Sequence, residues 1–429
     1  MDDVAVAGPG RASKRYWRGT HRVRTPQETL AAFRPHMERC GITRLACLTG
    51  LDSIGIPVYA AVRPLARSLV ISLGKGVDSP AAMASALMES IEVWHAEQVE
   101  HDGRPVLRDT ADGLARRGLH AVEPARLGLA LGAAPSEAYA DAWIEGTDLM
   151  SGRPCWVPLD AVSLDFTVDR PATAGGLLRS SNGLASGNQF HEALVHGLCE
   201  VVERDAETIW RHCADYRRVD PATVTAPDGR ALLRRLADAD VHAAIWDITS
   251  DVGVPAYGCV LMENPNEPGW RSVGVHDGFG CHLSPDVALV RAVTEAAQTR
   301  LTYISGSRDD LDRAELDRAN SPDLAHQVWD ELTAVPCTVA FPDTSERAGA
   351  TLDEDLDTLL GRLAAAGCEQ AVAVDLTADG LGVPVVKVLV PGLEGPYGEC
   401  EPGPRAAAAE GLRAAAAEEP RAAVTEALS

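Results

Sequence analysis

Three segments of the sequence carry acidic and amide side chains at helical spacing, and each follows a loop that contains glycine. In chain order the segments hold Glu89 and Glu92; Glu192, His196, Glu200 and Glu203; and Glu295 and Gln298. Residues three or four apart lie on one face of a helix, so each segment predicts a helix with a polar stripe. Charged helix faces are often only solvated. Because three helices share the same stripe, we favour one common polar site over three unrelated surfaces.

A common site of this composition suits a hard cation. Mg²⁺ prefers carboxylates and usually also binds substrate phosphates. We therefore predict six metal ligands: Glu89, Glu92, Glu192, Glu200, Glu203 and Glu295. Basic side chains that are expected to contact phosphates or balance the acids are Lys14, Arg22, Arg63, Lys75, Arg204, Arg291 and Arg300. The glycine loops before the helices also offer backbone N–H groups to a phosphate.

These features predict a magnesium–nucleotide site. Its architecture differs from the common nucleotide folds, because neither a Walker A motif nor a dinucleotide fingerprint occurs in its proper context. No Ser–His–Asp or Cys–His signature stands out either. The sequence therefore predicts where a nucleotide binds and does not identify the residue that transfers a proton.

Three similar stretches predict the hairpins that position these helices. Residues 48–58, 246–255 and 375–384 share one order, which is Thr, then Asp, then Gly-x-Pro, then an apolar run. Each predicts a strand, a polar turn and a second strand. We predict an α+β fold built from repeated units of hairpin, strand, glycine loop and helix around a central magnesium–nucleotide site.

The rest of each unit is predicted from its turn and cap residues. After the first hairpin we expect a strand at 68–72, a glycine loop at 74–76 and a helix at 80–96. After the second we expect a strand at 272–275, a glycine loop at 278–280 and a helix that starts after Ser284. The central helix is preceded by a small-residue loop at 182–188 and should bury Leu194 and Leu198.

Other segments give weaker predictions. Thr25, Pro26 and Glu28 form a capping-box pattern that predicts a helix over 25–37. We further predict a hairpin at 143–158 and a surface helix at 231–240.

Composition limits the classes of protein that this chain can belong to. Its 429 residues carry a net charge of −23, which argues against binding to nucleic acid or to an anionic membrane. The ten cysteines form no C-x-x-C pair, so a zinc ribbon is not expected. Scattered cysteines and the absence of a signal or membrane-spanning segment predict a cytoplasmic protein.

One large domain is expected to contain the site. We predict a disordered lead-in at 1–13, a catalytic domain at 14–398, and an Ala-, Glu- and Pro-rich mobile tail at 399–429. Within the domain, an acidic helical region at about 308–365 is expected to form a lid or subdomain.

The motifs of the three helices resemble those of the YcaO family, ATP-dependent enzymes that modify peptide backbone amides. The resemblance covers about residues 14–394. The positions that match the family motifs are Ser85, Glu89, Glu92, Asn182, Asn188, Glu192, Glu200, Glu203, Arg204, Glu295, Gln298 and Arg300. The chain departs from the family pattern at Val93, Ala185 and His196, where Arg, Ser and Gln are usual.

The resemblance implies a fold, two cofactors and a reaction. ATP and Mg²⁺ are the expected cofactors, and the expected nucleotide contacts are Lys14, Arg22, Arg63, Lys75, Ser85, Asn182, Asn188, Arg204, Gln298 and Arg300. A nucleophile would attack a backbone amide of a peptide, the amide oxygen would take the γ-phosphoryl group of ATP, and phosphate would then leave. Acid-bound Mg²⁺ and the flanking bases would stabilise the transferred charge.

The nucleophile distinguishes the subtypes of the family. The opening KRYWRGTHR and the run ITRLACLTGLDSIGIPV resemble stand-alone members that work with a TfuA-type partner, which are associated with thioamide formation from external sulfide. The expected partners are thus a ribosomal precursor peptide, a TfuA-like protein and a sulfide source, with a homodimer as the default assembly. The alternatives are an azoline-forming cyclodehydratase, a macroamidine-forming enzyme, or a non-catalytic subunit that docks the peptide.

Overall fold

Helices and strands are interspersed along the part of the chain that the structure describes. The structure is a computed structural model, and it describes residues 13–133, 142–167, 176–213, 217–311, 313–342 and 348–415. The helices of these segments are α1 (Pro26–Phe33), α2 (Ser79–Gln98), α3 (Ala111–Arg116), α4 (Phe190–His212), α5 (Pro227–Asp238), α6 (Pro285–Ser305), α7 (Arg313–Ala319), α8 (Pro322–Ala334), α9 (Leu352–Ala365) and α10 (Pro404–Ala415).

The strands of the same segments form three sheets. They are β1 (Arg44–Cys47), β2 (Val58–Val62), β3 (Ile71–Lys75), β4 (Val106–Arg108), β5 (Ala142–Asp148), β6 (Arg153–Pro158), β7 (Leu184–Ser186), β8 (Arg217–Asp220), β9 (Val241–Asp247), β10 (Ala256–Glu263), β11 (His276–Cys281), β12 (Val339–Ala340), β13 (Val372–Asp375) and β14 (Val385–Leu389). The strand orders are β1-β2-β3, β11-β10-β9-β8-β12 and β4-β5-β13-β14-β7, with β6 paired to β5. All pairs are antiparallel except β12 with β8.

The three sheets share one arrangement of three strands and a helix. In the first unit β1, β2 and β3 are neighbours and α2 packs on β3; in the second β9, β10 and β11 are neighbours and α6 packs on β11. In the third unit β13, β14 and β7 are neighbours and α4 packs on β7 and β14. In this third unit, strand β7 and helix α4 come before the hairpin of β13 and β14 in the chain. The elements of the unit are therefore connected in a different order from those of the other two. The structure confirms the α+β class and the repeated units.

The predicted hairpin turns use equivalent threonines. The hydroxyl of each accepts a hydrogen bond from a backbone N–H at the start of the second strand. The pairs are Thr49 with Val58 at 3.1 Å, Thr249 with Ala256 at 3.1 Å, and Thr377 with Val385 at 3.3 Å. A side chain that satisfies a turn amide fixes the end of the strand, so the repeated Thr explains why the three turns share a sequence pattern.

Glycine in the third strand of two units lets the helix lie against the backbone of the strand. A Cβ atom on Gly74 of β3 would lie 2.0 Å from the amide nitrogen of Ala86 in α2. On Gly278 of β11, the same atom would lie 2.1 Å from the amide nitrogen of Ala296 in α6. No side chain fits at these distances, so glycine is required by the helix contact.

This contact corrects the sequence prediction. Residues 74–76 and 278–280 were expected to be loops, but Gly74 lies in β3 and 278–280 lie in β11. The strands predicted at 68–72 and 272–275 consequently start later, at Ile71 and His276. The predicted loop at 182–188 likewise contains strand β7. Gly74 and Gly278 were interpreted as turn residues. In the structure they lie in strands, at the points where a helix packs closely against the strand backbone.

Several smaller predictions are confirmed. Thr25 and Glu28 form the capping box of α1, although the helix ends at Phe33 and a 3₁₀ turn continues to His36. The hairpin at 143–158 is β5 and β6, and α5 buries Leu232 and Leu236 while exposing its other face.

Two segments pack more closely than their sequence suggests. In the region for which a lid or subdomain was expected, α8 and α9 bury Val328, Leu332, Leu359 and Leu363 in the same core as α4. In the expected mobile tail, α10 buries Ala406 and Ala409. The rest of that tail, 416–429, and residues 1–12 of the lead-in lie outside the described residues. None of the described helices is long and apolar enough to cross a membrane.

Candidate functional site

A cavity of about 1040 Å³ lies where α2, α4 and α6 face one another. It contains the polar stripes of all three helices and most of the predicted nucleotide contacts. The predicted site residues that line it are Arg22, Lys75, Ser85, Glu89, Glu92, Asn182, Asn188, Glu192, Glu200, Glu203, Arg204, Glu295 and Gln298. His196, at a departure from the family pattern, also lines it.

Three predicted nucleotide contacts do not line the cavity. Lys14 is buried and pairs with Asp355 at 2.5 Å, and Arg63 is buried and pairs with Glu97 at 2.5 Å. The third, Arg300, is buried and pairs with Asp52 at 3.3 Å and Glu263 at 2.5 Å. Each of these cations therefore neutralises a carboxylate in the interior, away from the cavity. The partners are far away in sequence, which is why spacing did not reveal them.

Two of the cavity carboxylates hold the backbone around the site. Glu92 accepts hydrogen bonds from the backbone N–H and the hydroxyl of Ser186, at 2.8 and 2.6 Å. Glu192 accepts from the N–H of Val23 at 2.9 Å and from the backbone and side-chain N–H groups of Asn188, at 3.1 and 2.9 Å. These bonds fix β7 and the start of α4 relative to α2 and the N-terminal segment.

Two other carboxylates of the cavity, those of Glu203 and Glu295, are joined by Arg204. Arg204 contacts Glu203 at 3.2 Å and Glu295 at 3.3 Å, and Lys75 also pairs with Glu295. Burial alone would raise the pKa of Glu295, but Lys75 and Arg204 lower it to about 2. Glu295 is therefore ionised at neutral pH and is balanced by basic side chains from β3 and α4.

The remaining two carboxylates, Glu89 and Glu200, have a different environment. Burial raises the pKa of Glu89 to about 7, and the neighbouring Glu92 adds to the shift. Burial likewise raises the pKa of Glu200 to about 8, because the opposing effect of Arg204 is smaller. A cation in the cavity would favour the ionised form of both groups, so a bound metal ion would stabilise them.

The six carboxylates line one cavity without forming one compact cluster. Among the described residues, no three or more His, Cys, Asp or Glu side chains lie together in a group that could hold a metal ion. The geometry above gives the reason, since Glu92 and Glu192 bind backbone N–H groups while Glu203 and Glu295 bind basic side chains. Direct ligation by all six remains a prediction.

Two unpaired oxygen atoms indicate that the cavity suits magnesium and a nucleotide. The side-chain oxygens Oδ1 of Asn182 and Oε1 of Gln298 are buried and have no hydrogen-bond partner in the structure. Both residues line the cavity beside the acids. A buried acceptor without a partner is costly, and a hydrated Mg²⁺ would satisfy it. The donor set therefore fits Mg²⁺, and the basic side chains fit the phosphates that accompany it.

His196 lies between two arginines. Its Nδ1 is 3.4 Å from Arg22 and its Nε2 is 3.1 Å from Arg291. Burial and the two guanidinium groups hold the pKa of His196 well below its usual range. The ring is neutral and has one acceptor nitrogen, so it can accept a hydrogen bond from only one of the two arginines.

Five further arginines of the cavity were not named as site residues from the sequence, and they are Arg18, Arg24, Arg179, Arg211 and Arg308. Arg211 could have been found, because it lies seven residues after Arg204 on the same face of α4. It pairs with Glu207 at 2.9 Å and with Asp277 at 2.7 Å. The other four lie outside the helices that carry the stripes, so helical spacing gives no sign of them.

Comparison with known proteins identifies the family to which this fold and site belong. Residues 73–394 match the family model described as YcaO cyclodehydratase, ATP- and Mg²⁺-binding. The chain belongs to this family. The family description confirms ATP and Mg²⁺ as the cofactors predicted from the sequence.

Individual relatives extend the match over most of the chain. An uncharacterized protein in the tfuA 3′ region of Rhizobium leguminosarum bv. trifolii is 37% identical over 381 residues, which cover 87% of this chain and 88% of that protein. An uncharacterized protein of Methanothermobacter thermautotrophicus is 35% identical and covers 86% of this chain and 94% of its own length. The structure of YcaO from Methanopyrus kandleri bound with AMPPCP and Mg²⁺ superimposes with a TM-score of 0.70 at 26% identity, covering 89% of this chain and 94% of that one.

Proposed function

We propose that this protein is an ATP-dependent peptide thioamide synthetase. In this reaction a backbone amide of a ribosomal precursor peptide is O-phosphorylated, and external sulfide, delivered with a TfuA-type partner, replaces the oxygen. Magnesium-bound ATP supplies the phosphoryl group that turns the amide oxygen into a good leaving group. ATP and newly made peptides occur together in the cytoplasm, where we place the protein.

The observation that carries the proposal is the composition of the cavity. It combines Glu89 and Glu200, whose pKa values are raised by burial, with the unpaired oxygens of Asn182 and Gln298. Such a set favours a divalent cation. In the proposed reaction Arg22 and Arg291, on either side of His196, would contact the anionic phosphate groups.

The choice of thioamide formation is supported by a relative. The Rhizobium protein that is 37% identical over most of this chain is encoded in the tfuA 3′ region. We therefore propose a TfuA-like protein as the partner that brings sulfide to this cavity. The opening segment and the first hairpin, which resemble stand-alone members that work with such partners, support the same choice.

Mass spectrometry of the reaction product tests the proposal. The protein is incubated with ATP, Mg²⁺, sulfide, a TfuA-like protein and a candidate precursor peptide chosen from the open reading frames near its gene. We expect a product heavier by the difference between one sulfur and one oxygen atom, together with release of ADP and phosphate. A product lighter by one water molecule would instead identify an azoline- or amidine-forming enzyme.

Calorimetry separates an enzyme from a non-catalytic docking subunit. Glu200→Gln should weaken binding of magnesium-bound ATP at least about tenfold, the loss of one charge-assisted contact. The control is Glu38→Gln, at an exposed glutamate outside the cavity, which should bind as the unaltered protein does. If the unaltered protein neither binds nor hydrolyses ATP with any partner, the enzyme proposal is wrong. The result would then favour the hypothesis of a non-catalytic subunit that docks the peptide.

A further inference from the structure

One wall of the cavity is the edge of a β-sheet. Strand β3 pairs with β2 on one side, and no other strand in the described segments pairs with its second side. Three consecutive residues of β3, Ile71, Ser72 and Leu73, line the cavity. An unpaired edge presents a row of backbone N–H and C=O groups, which is a template for another extended chain.

The register identifies which backbone groups face the cavity. The N–H of Arg63 donates to the carbonyl of Val70 at 2.8 Å, so this carbonyl and the backbone groups of Ser72 and Gly74 are directed toward β2. Ile71 and Leu73, the residues between them, direct theirs to the other side. The contact of 3.3 Å between the Leu73 N–H and the carboxylate of Glu89 confirms that direction.

The cavity is large enough for more than a nucleotide. Its volume of about 1040 Å³ lies at the upper end of the range of about 300–1,000 Å³ that is usual for small-molecule sites. β3 forms one part of the cavity wall, and its Lys75 pairs with Glu295. Beyond the other end of β3, Leu69 and Phe166 also line the cavity. Phe166 is 55% exposed, so an apolar side chain is available to a second ligand there.

The surroundings of this edge distinguish it from an unprotected one. Proteins usually cover or charge their sheet edges to prevent association of whole molecules. This edge lies inside a cavity, between α6 at the Lys75 end and Asp309, which contacts the Val70 N–H at 3.4 Å, at the other end. A single extended peptide can enter such a recess, whereas the sheet of another molecule cannot.

We propose that a peptide substrate binds in this cavity as an added strand along β3, with its main chain hydrogen-bonded to the N–H and carbonyl of Ile71 and to the carbonyl of Leu73, whose N–H is held by Glu89. This inference rests on the proposed function, because it places a backbone amide of the peptide beside Glu89 and the magnesium–nucleotide site. Recognition through main-chain atoms is largely independent of sequence. The same edge would therefore accept different residues of a precursor in turn.

Backbone methylation of a probe peptide tests strand addition. The probe is a blocked hexapeptide of alternating Thr and Val with an uncharged fluorescent label, and its binding is followed by anisotropy without ATP, sulfide or a partner protein. N-methylation removes one N–H donor at a time. In an added strand alternate residues face the edge, so we expect methylation at every second position to weaken binding about three- to tenfold and methylation between them to have little effect.

Matched variants of one residue test the protein side. Ile71→Pro removes a backbone N–H that β2 does not use, and proline is tolerated at such an edge position. It should weaken probe binding about three- to tenfold, whereas Ile71→Ala keeps the N–H and should weaken binding less. Circular dichroism and thermal melting check that both variants fold. If Ile71→Pro does not fold, the methylation pattern alone decides.

Two results would overturn the inference. One is an absence of saturable probe binding, and the other is equal loss of affinity at neighbouring methylated positions. The proposed function fails in a different way, because it requires the sulfur-containing product in the mass assay. An alternating pattern with no such product would retain strand addition and reject thioamide formation.

Discussion

At the scale of single residues, the acids of the cavity have separate tasks although they belong to the same motif. Glu92 and Glu192 accept two and three hydrogen bonds and act as braces. Glu89 accepts a single one, and burial raises its pKa to about 7 and that of Glu200 to about 8. Spacing along the helices places Glu89 and Glu92 in the stripe of α2 and Glu192 and Glu200 in the stripe of α4. Spacing cannot separate their tasks, because Ser186, which bonds to Glu92, and Val23, which bonds to Glu192, come from distant parts of the chain.

Gln298 should behave as a residue retained for binding. Because its Oε1 is buried without a partner, replacing it with an apolar side chain removes an unfavourable group. We expect Gln298→Leu to leave the melting temperature unchanged or to raise it, and to weaken binding of magnesium-bound ATP about tenfold in calorimetry.

A control for this substitution is available outside the cavity. Gln370 bonds to His120 at 2.9 Å, so Gln370→Leu should lower the melting temperature without affecting nucleotide binding. A marked loss of stability in Gln298→Leu would show that its oxygen has a structural partner.

At the scale of elements, the sequence predicted the type of each unit better than its boundaries. The three hairpin turns and the helices α2, α4 and α6 follow from repeated residues and cap signals. The exact start of β3 and β11 could not be predicted, because Gly74 and Gly278 are needed for contacts with helices rather than for turns. A glycine in a sequence carries the same signal in both cases.

A glycine at a helix contact and an exposed glycine inside a helix should respond oppositely to alanine. Gly278→Ala places a Cβ atom 2.1 Å from the Ala296 nitrogen, and we expect it to lower the free energy of unfolding by about 2–3 kcal/mol. In α9, Gly361 has no atom within 4 Å of such a Cβ, so Gly361→Ala should raise the free energy by about 0.5–1 kcal/mol. Urea unfolding measures both. Equal effects would contradict the close packing of α6 on β11.

At the scale of the whole molecule, the last described helix, α10, is bound to the central helix α4 by a buried ion pair. Arg405 of α10 bonds to the fully buried Asp205 of α4 at 2.7 and 2.9 Å and also contacts Asp251. The carboxylate of Glu394 accepts the N–H groups of Gly403, Arg405 and Ala406 at the start of the helix. Composition alone suggested a mobile tail here, since alanine-rich sequence gives no sign of one buried ion pair.

Breaking this anchor should destabilise the protein. Arg405→Ala leaves Asp205 buried without its cation, and we expect a loss of about 3–5 kcal/mol in the free energy of unfolding. The matched control is Arg313→Ala, which breaks an exposed pair with Asp317 and should cost less than about 0.5 kcal/mol. If both variants unfold at the same urea concentration, α10 is not held through Asp205.

The altered order of the third unit has a consequence for synthesis. Leu184 of β7 pairs with Lys387 of β14, so the sheet that supports α4 cannot close until both have left the ribosome. The first unit is complete once α2 has been made, but the acids of α4 must wait for nearly all of the remaining chain. At about 5–20 residues per second this delay lasts on the order of ten seconds or more, during which the apolar face of α4 is open to chaperones.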